Sequence, residues 1–120
     1  MDYKNLNVWK ESINLVKGIY KVTANFPYDE KYGLTSQLRR ASISIPSNIA
    51  EGNSRSSDKD YKRFVDIAYG SALELETQLI ISVELGYINK SDSIFQKLEE
   101  VKKLISGFIK FLKKEINGNK

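Results

Sequence analysis

The chain has 120 residues, 41% of them hydrophobic and 11% aromatic, which suits one domain with an apolar core and is too short for a two-domain enzyme. Its 19 Lys and Arg against 15 acidic residues give a net charge of +4, a mildly basic balance that is compatible with a nucleic-acid partner without requiring one. Cysteine and histidine are absent, which excludes disulfides, Cys/His zinc sites and catalysis by a cysteine nucleophile or a histidine base.

Nothing in the sequence indicates membrane targeting. The first twenty residues interleave Lys, Glu and Asn with apolar positions, unlike a signal peptide, and no apolar run approaches the ~18 residues of a membrane span. We therefore expect one cytoplasmic domain over residues 1–120, with no membrane partner.

Four segments show apolar residues at the helical spacing of three and four positions. The first runs from about Leu6 to Phe26, and the second from about Leu34 to Gly52. One narrow apolar stripe follows the second segment, consisting of Leu34, Leu38, Ala41, Ile45 and Ile49.

Capping signals delimit the third segment, which follows Ser57 and runs to Leu85, just before Gly86. The Ser57 hydroxyl can cap the helix, with Asp60 at the answering position. The fourth segment starts near residues 89–91 and carries a long apolar stripe of Ile94, Leu98, Val101, Ile105, Phe108, Leu112 and Ile116. Because no strand-like alternation competes and the connections are short, the sequence predicts an all-α, antiparallel up-and-down four-helix bundle.

Pro46 interrupts the second segment. A proline inside a helix removes one backbone hydrogen bond and crowds the carbonyl four residues back, here that of Ser42, so the helix must end or kink. Because the apolar stripe continues to Ile49, we expect a proline-kinked second helix. The Ser42 or Ser44 hydroxyl is then available to satisfy the freed backbone groups.

The third and fourth segments carry more apolar residues than a monomeric bundle needs. In the fourth, the additional residues are Phe95, Leu104, Ile109 and Phe111. In the third, Tyr69, Leu73 and Ile80 form a second stripe away from the core stripe of Tyr61, Phe64, Ala68, Leu75, Leu79 and Val83. This surplus indicates self-association into a homo-oligomer.

The second segment also carries a polar stripe, which consists of Gln37, Arg40, Ser44, Ser47, Asn48 and Glu51. All four arginines of the chain lie between the second segment and the start of the third, and two lysines join them to form a basic cluster, with three acidic residues in the same stretch. The cluster consists of Arg39, Arg40, Arg55, Lys59, Lys62 and Arg63. Arginine suits bidentate phosphate contacts, and the loop that leads into the third helix offers backbone donors to an anion.

We interpret the basic cluster as a candidate contact for the RNA or DNA backbone. Two alternatives stay open for the polar stripe. It is either a solvated helix face, or a subunit interface that makes the chain a structural or protein-interaction module. A second basic region, with seven lysines from Lys97 to Lys120 against three glutamates, is explained better by a solvated helix face than by a nucleic-acid footprint.

Catalytic motifs are missing from the sequence. Di-iron bundles need histidine, and Glu74 and Glu76 are two positions apart, so they cannot share a helix face. No phosphate-binding glycine motif or serine nucleophile motif is present. An enzymatic alternative would need a carboxylate pair assembled between subunits, with Glu51 as its leading member. We expect a non-enzyme without cofactor or metal.

The motifs of this chain resemble those of a known family. They are Leu6-x-Val8-Trp9-Lys10, Phe26-Pro27, the stretches Tyr32–Ala41 and Ser44–Gly52, and Ala68-Tyr69-Gly70-Ser71-Ala72-x-Glu74-x-Glu76-Thr77. Together they look like the four-helix bundle proteins encoded in intervening sequences of bacterial 23S ribosomal RNA genes. The resemblance covers nearly the full chain, and the Ser-Ile-Pro-Ser-Asn-Ile-Ala-Glu-Gly run is specific.

The resemblance implies an antiparallel bundle with a proline-kinked second helix, assembled as a ring, a pentamer. It also suggests kinship with the accessory variability proteins of diversity-generating retroelements, which are basic pentameric bundles that bind nucleic acid and a reverse transcriptase. No enzymatic activity is established for the family, and its RNA-binding role is inferred from genomic setting. Tyr69 stands where a smaller aliphatic residue is common.

Overall fold

The computed structural model describes residues 2–118, which contain four α-helices. They are α1 (Asn7–Thr23), α2 (Leu34–Asn53), α3 (Asp58–Glu84) and α4 (Ile94–Gly118), with short 3-10 turns at Tyr3–Asn5 and Tyr28–Glu30. The four predicted helical segments and the all-α class are confirmed. Lys120, counted in the second basic region, lies outside the described residues.

The helices pack in cyclic order, α1 against α2 and α4, and α3 against α2 and α4. Within residues 2–118 no contact joins α1 to α3 or α2 to α4, so each of these pairs lies on a diagonal of the bundle. The molecule measures 51 × 23 × 20 Å, as expected for long helices packed side by side.

The predicted stripes supply most of the core. Leu38, Ile45 and Ile49 of α2 are completely buried, as are Leu75 and Leu79 of α3. In α4, every residue of the predicted stripe is buried except Phe108 and Ile116, which are half-buried. In α3 the buried face is rotated slightly from the prediction: Val65 and Ala72 are buried, whereas Tyr61, Phe64 and Val83 are half-buried.

Both ends of α3 use the predicted capping residues. The Ser57 hydroxyl accepts a hydrogen bond from the Asp60 backbone N–H at 3.1 Å. At the other end, Gly86 has a φ of +79°, a left-handed conformation that glycine adopts without strain. The N–H groups of Gly86 and Tyr87 then donate to the carbonyls of Val83 and Ser82, both at 2.9 Å, which closes the helix with a Schellman motif.

Helix α2 continues through Pro46 to Asn53, as the apolar stripe predicted, while the kink itself stays a prediction. The two serine hydroxyls have other partners than the freed carbonyl of Ser42. Ser42 Oγ donates to the carbonyl of Arg39 at 2.8 Å, and Ser44 Oγ lies 2.8 Å from Ser71 Oγ of α3. The hydroxyls therefore fix local and interhelical contacts.

Most of the surplus apolar surface is covered within the chain itself, contrary to the expectation from the sequence. Phe95, Leu104 and Ile109 of α4 are half-buried against the core, and so is Tyr69 of α3. The reason is that α4 packs between α1 and α3, so both of its flanks bury side chains. The prediction of an uncovered apolar stripe on α4 is therefore wrong except at Phe111, which is 53% exposed. On α3, by contrast, Leu73 and Ile80 of the predicted second stripe remain exposed.

Two lysines of α4 tie this helix to its neighbours. Lys97 donates to Glu11 of α1, and Lys102 donates to Glu76 of α3 at 3.0 Å. The hydrogen bond from Lys97 lowers the pKa of Glu11, and the same bond raises the pKa of Lys97. These two lysines of the second basic region thus act in helix packing.

The Glu11–Lys97 pair predicts a pH dependence of stability. The pKa of Glu11 is lower in the folded chain than its ordinary value. Glu11 therefore stabilises the fold above the ordinary carboxylate pKa, and this stabilisation is lost as the pH falls through the pKa that Glu11 has in the folded chain. The pKa of Lys97 is raised in the folded chain. Its contribution to stability is therefore lost only when the pH rises, in the strongly alkaline range, through the pKa that Lys97 has in the folded chain. We expect Glu11→Gln to lower the urea midpoint at pH 7 and to have little effect at pH 2. The exposed Glu115→Gln variant is the control, and an equal effect of both variants at pH 7 would argue against the pair.

Candidate nucleic-acid interface

The aromatic ring of Phe64 organises two arginines where α2 passes into α3. The guanidinium carbon of Arg55 lies 4.6 Å from the ring centroid, and that of Arg63 lies 4.7 Å from it. Both distances are typical of cation–π contacts. One half-buried ring therefore holds two cationic groups at the surface, although they are eight positions apart in the sequence.

Each of three cations in this region also has a carboxylate partner. Arg55 Nη2 lies 2.9 Å from Glu51 Oε1, Arg63 Nε lies 3.1 Å from Asp60 Oδ1, and Lys62 Nζ lies 2.7 Å from Asp66 Oδ2. Pairs this open to solvent contribute little to stability and exchange partners readily. A phosphate can therefore replace the carboxylates without unfolding the site.

Helix α4 completes this surface. A groove of about 750 Å³ lies between the start of α3 and the end of α4. Its charged lining comprises four cations, Lys59, Lys62 and Arg63 from α3 and Lys113 from α4, and two carboxylates, Asp60 and Asp66. Sequence reasoning assigned Lys113 to a separate solvated face, although the antiparallel topology already implies that the end of α4 lies beside the start of α3. We call this site the basic groove.

Tyr61 connects three helices in this part of the bundle. Its hydroxyl accepts a hydrogen bond from Asn53 Nδ2 at 3.2 Å, and its ring packs edge-on against Phe108 of α4 with centroids 5.2 Å apart. Burial raises the pKa of Tyr61, so the phenol stays neutral at physiological pH. Tyr61 thus joins the end of α2, the start of α3 and the middle of α4.

Arg39 does not belong to this surface. Its Nε donates to Thr23 Oγ1 of α1 at 2.9 Å, and its guanidinium carbon lies 4.4 Å from the centroid of the Tyr20 ring. These contacts fasten α2 to α1. Sequence proximity to Arg40 was misleading here because successive residues on a helix point about 100° apart.

Arg40 is exposed and lines a different groove, between α2 and α3. This groove has a volume of about 380 Å³, and its other polar lining comes from Gln37, Ser44, Ser71 and Glu74. The structure thus divides the predicted basic cluster into three parts: Arg39 against α1, Arg40 beside Glu74, and the remaining four residues near the basic groove.

The polar stripe of α2 is partly used inside the chain. Besides the contact between Ser44 and Ser71, Asn48 Nδ2 donates to the carbonyl of Ser44 at 2.8 Å and to its hydroxyl at 3.0 Å. Glu51 binds Arg55, while Gln37 and Ser47 are exposed. Ser44 therefore serves α2–α3 packing and Asn48 binds within α2, while Gln37, Arg40, Ser47 and Glu51 are exposed.

Residues 2–118 hold no cluster of three or more acidic side chains arranged to bind a metal ion. None of the described helices combines the length and the apolar character that crossing a membrane requires.

The fold and these contacts define the class of protein as an all-α four-helix bundle with a basic groove at one end. The chain belongs to the family of 23S rRNA-intervening sequence proteins, which matches residues 4–107.

A solved structure of a protein from Bacteroides thetaiotaomicron, described as having unknown function and belonging to the S23 ribosomal protein family, is similar to this chain with a TM-score of 0.76. The two are 28% identical, and the match covers 86% of this chain and 98% of the other. No curated protein matches the chain significantly. Neither the family nor the solved structure indicates a catalytic function.

Proposed function

We propose that the protein is a non-catalytic, cytoplasmic homo-oligomer that binds the phosphate backbone of RNA through the basic groove. One observation carries the proposal: the start of α3 and the end of α4 bring Lys59, Lys62, Arg63 and Lys113 to one groove. Arg55 lies beside it on the Phe64 ring that also holds Arg63. No cofactor is needed for this function.

The chemistry of the groove favours phosphate over bases. Its cations are long side chains that can neutralise phosphates, and three of them, Lys59, Arg63 and Lys113, are exposed. No base-reading module of known pattern is present in the sequence. The family name refers to 23S rRNA and the similar solved structure to ribosomal proteins, which supports RNA as the natural partner. DNA binding by the same groove is an outcome that the test below resolves.

Assembly into an oligomer would place several copies of the basic groove in one particle. The exposed apolar residues of α3 support self-association, and the resemblance to ring-forming bundles implies a pentamer. A pentamer presents one groove per subunit, so simultaneous contacts with one RNA raise the overall affinity well above that of a single groove.

The salt dependence of RNA affinity tests the groove. We expect the wild-type affinity for a structured RNA to fall steeply with salt, by a log-log slope of about −0.9 per phosphate contacted on duplex regions and about −0.7 on single strands. Lys59→Gln and Lys113→Gln should each weaken binding to all sequences alike and flatten the slope. Electrophoretic mobility at several salt concentrations measures both quantities.

Lys90→Gln is the matched control, because it removes the same charge from an exposed lysine in the α3–α4 connection, at the opposite end of the bundle. It should leave the slope unchanged. Equal effects of all three variants would show that net charge, and not the groove, governs binding. Absence of RNA and DNA binding by the wild type at low salt would reject the proposed function.

A further inference from the structure

Two tyrosines in the connection between α1 and α2 are exposed to solvent over most of their surface. Tyr28 is 79% exposed and Tyr32 is 87% exposed, although aromatic side chains usually bury much of their surface. The ammonium nitrogen of Lys31 lies 5.7 Å from the centroid of the Tyr28 ring and 5.4 Å from that of the Tyr32 ring, within the range of cation–π contacts. One lysine thus contacts both rings. We call residues 28–32 the tyrosine turn.

The tyrosine turn is fixed to its surroundings by Glu30. One carboxylate oxygen, Oε1, accepts a hydrogen bond from the backbone N–H of Leu34, the first residue of α2, at 3.1 Å. The other, Oε2, accepts from the hydroxyl of Tyr87, which follows α3, at 2.9 Å. Within the turn, the N–H of Lys31 donates to the carbonyl of Tyr28 at 3.0 Å. The exposed rings therefore lie on an ordered backbone, so binding of a ligand to them costs little ordering entropy.

Each of the two rings keeps one face open to a ligand. Lys31 contacts one face of each ring, and the high exposure of the two side chains leaves the opposite faces in solvent. Open aromatic faces stack on nucleobases, and because every base has such a face, this contact tolerates any sequence. Bases inside a duplex are already stacked on their neighbours. The turn is therefore suited to unpaired bases.

The charges of the tyrosine turn favour stacking on bases over attraction of phosphate. Lys31 is its one cation, and Asp29 and Glu30 are its two carboxylates. These three charged residues also separate the two rings along the chain, unlike the contiguous apolar patch that is typical of a protein interface. Stacking needs open ring faces and no net positive charge at the turn itself. The positive charge that binding of a single strand also requires is supplied by the basic groove.

The tyrosine turn and the basic groove lie at opposite ends of the bundle. The turn precedes α2, the groove lies beside the start of α3, and the 20 residues of α2 between them span roughly 30 Å. We propose that the tyrosine turn stacks on unpaired bases of an RNA whose phosphates bind the basic groove. The inference rests on the proposed function and names the feature of the RNA that the chain recognises, a single-stranded segment.

Binding of single-stranded and duplex RNA by tyrosine variants tests the turn. The two probes are an oligouridylate of about 16 nucleotides and a fully paired duplex of the same length. Tyr28→Leu and Tyr32→Leu combined should lower the affinity for the oligouridylate roughly fivefold to a hundredfold and leave the duplex affinity unchanged. Because stacking neutralises no phosphate, the loss should be the same factor at low and high salt. Tyr28→Phe and Tyr32→Phe combined keep both rings and should bind as the wild type does.

The controls separate the possible failures. Lys113→Gln should instead flatten the salt slope with both probes, and circular dichroism verifies that all variants fold, as their exposure leads us to expect. Wild-type affinity of the leucine variant for the oligouridylate would overturn the inference while leaving the basic groove intact, and so would an equal loss on the duplex. An equal loss in the phenylalanine variant would also overturn it, because the rings would then not be the contact. Failure of the wild type to bind either probe at low salt would overturn both the inference and the proposed function.

Discussion

Leu75→Ala is expected to lower the free energy of unfolding by roughly 2–5 kcal/mol. Leu75 is completely buried in α3, and its truncation removes apolar contacts from α3 and leaves a cavity that the surrounding helices only partly fill. This is a large share of the ~5–15 kcal/mol that stabilises an ordinary domain. Urea denaturation should show a lower midpoint with an unchanged slope.

Leu73→Ala is the matched control, two positions away on the same helix but 42% exposed. It should change the free energy of unfolding by less than about 0.5 kcal/mol. Equal losses of stability in the two variants would contradict the assignment of the buried side of α3.

The fold was predictable because its determinants are local. The three-and-four spacing of apolar residues marks each helix, and the Ser57 cap and Gly86 terminus depend on the conformation of a few adjacent residues. The diagonal relation of α1 and α3 follows from topology once the connections are known to be short.

How much of a helix's circumference is buried is harder to predict from the sequence, because it depends on where the neighbouring helices lie. The wide apolar arc of α4 looked like an oligomer surface in the sequence, but α1 and α3 cover Phe95, Leu104 and Ile109 within the chain. A helix between two partners needs a wider apolar stripe than a helix with one, and a single sequence does not say which arrangement applies.

The candidate site was predictable only in part, for the same reason. The basic cluster placed Arg39 with the other arginines by sequence proximity, yet a hydroxyl and an aromatic ring on α1 hold its guanidinium elsewhere. Lys113 was missed because it is some fifty residues from Lys59 along the chain and meets it only through antiparallel packing. Side-chain partners across helices decide which charges are available to a ligand.

Gly52→Ala is expected to destabilise the chain and to weaken RNA binding together. An added Cβ at this buried position of α2 would lie 2.8 Å from Tyr61 Cδ1 and 2.9 Å from Phe64 Cβ, closer than carbon atoms pack. Relief of this overlap needs a shift of α3 against α2, which typically costs about 1–3 kcal/mol. That cost should exceed the roughly 0.5–1 kcal/mol that alanine gains over glycine inside a helix.

The displacement should also reach the basic groove. Arg55 and Arg63 both stack on Phe64, so a shift of that ring misplaces two cations at once, and RNA affinity should fall even where the variant is fully folded. Thermal denaturation and mobility shift on the same sample measure the two effects.

Gly107→Ala provides the comparison, because Gly107 is exposed in α4 and, apart from the adjacent backbone of α4 itself, no described atom lies within 4 Å of the added Cβ. It should raise the free energy of unfolding by roughly 0.5–1 kcal/mol and leave RNA affinity unchanged. If Gly52→Ala stabilises the chain as Gly107→Ala does, the close approach of α2 to Tyr61 and Phe64 is not a constraint on the fold. If Gly52→Ala destabilises the chain but retains full RNA affinity, the position of Phe64 does not govern the site, and the two arginines bind phosphate independently of the ring beneath them.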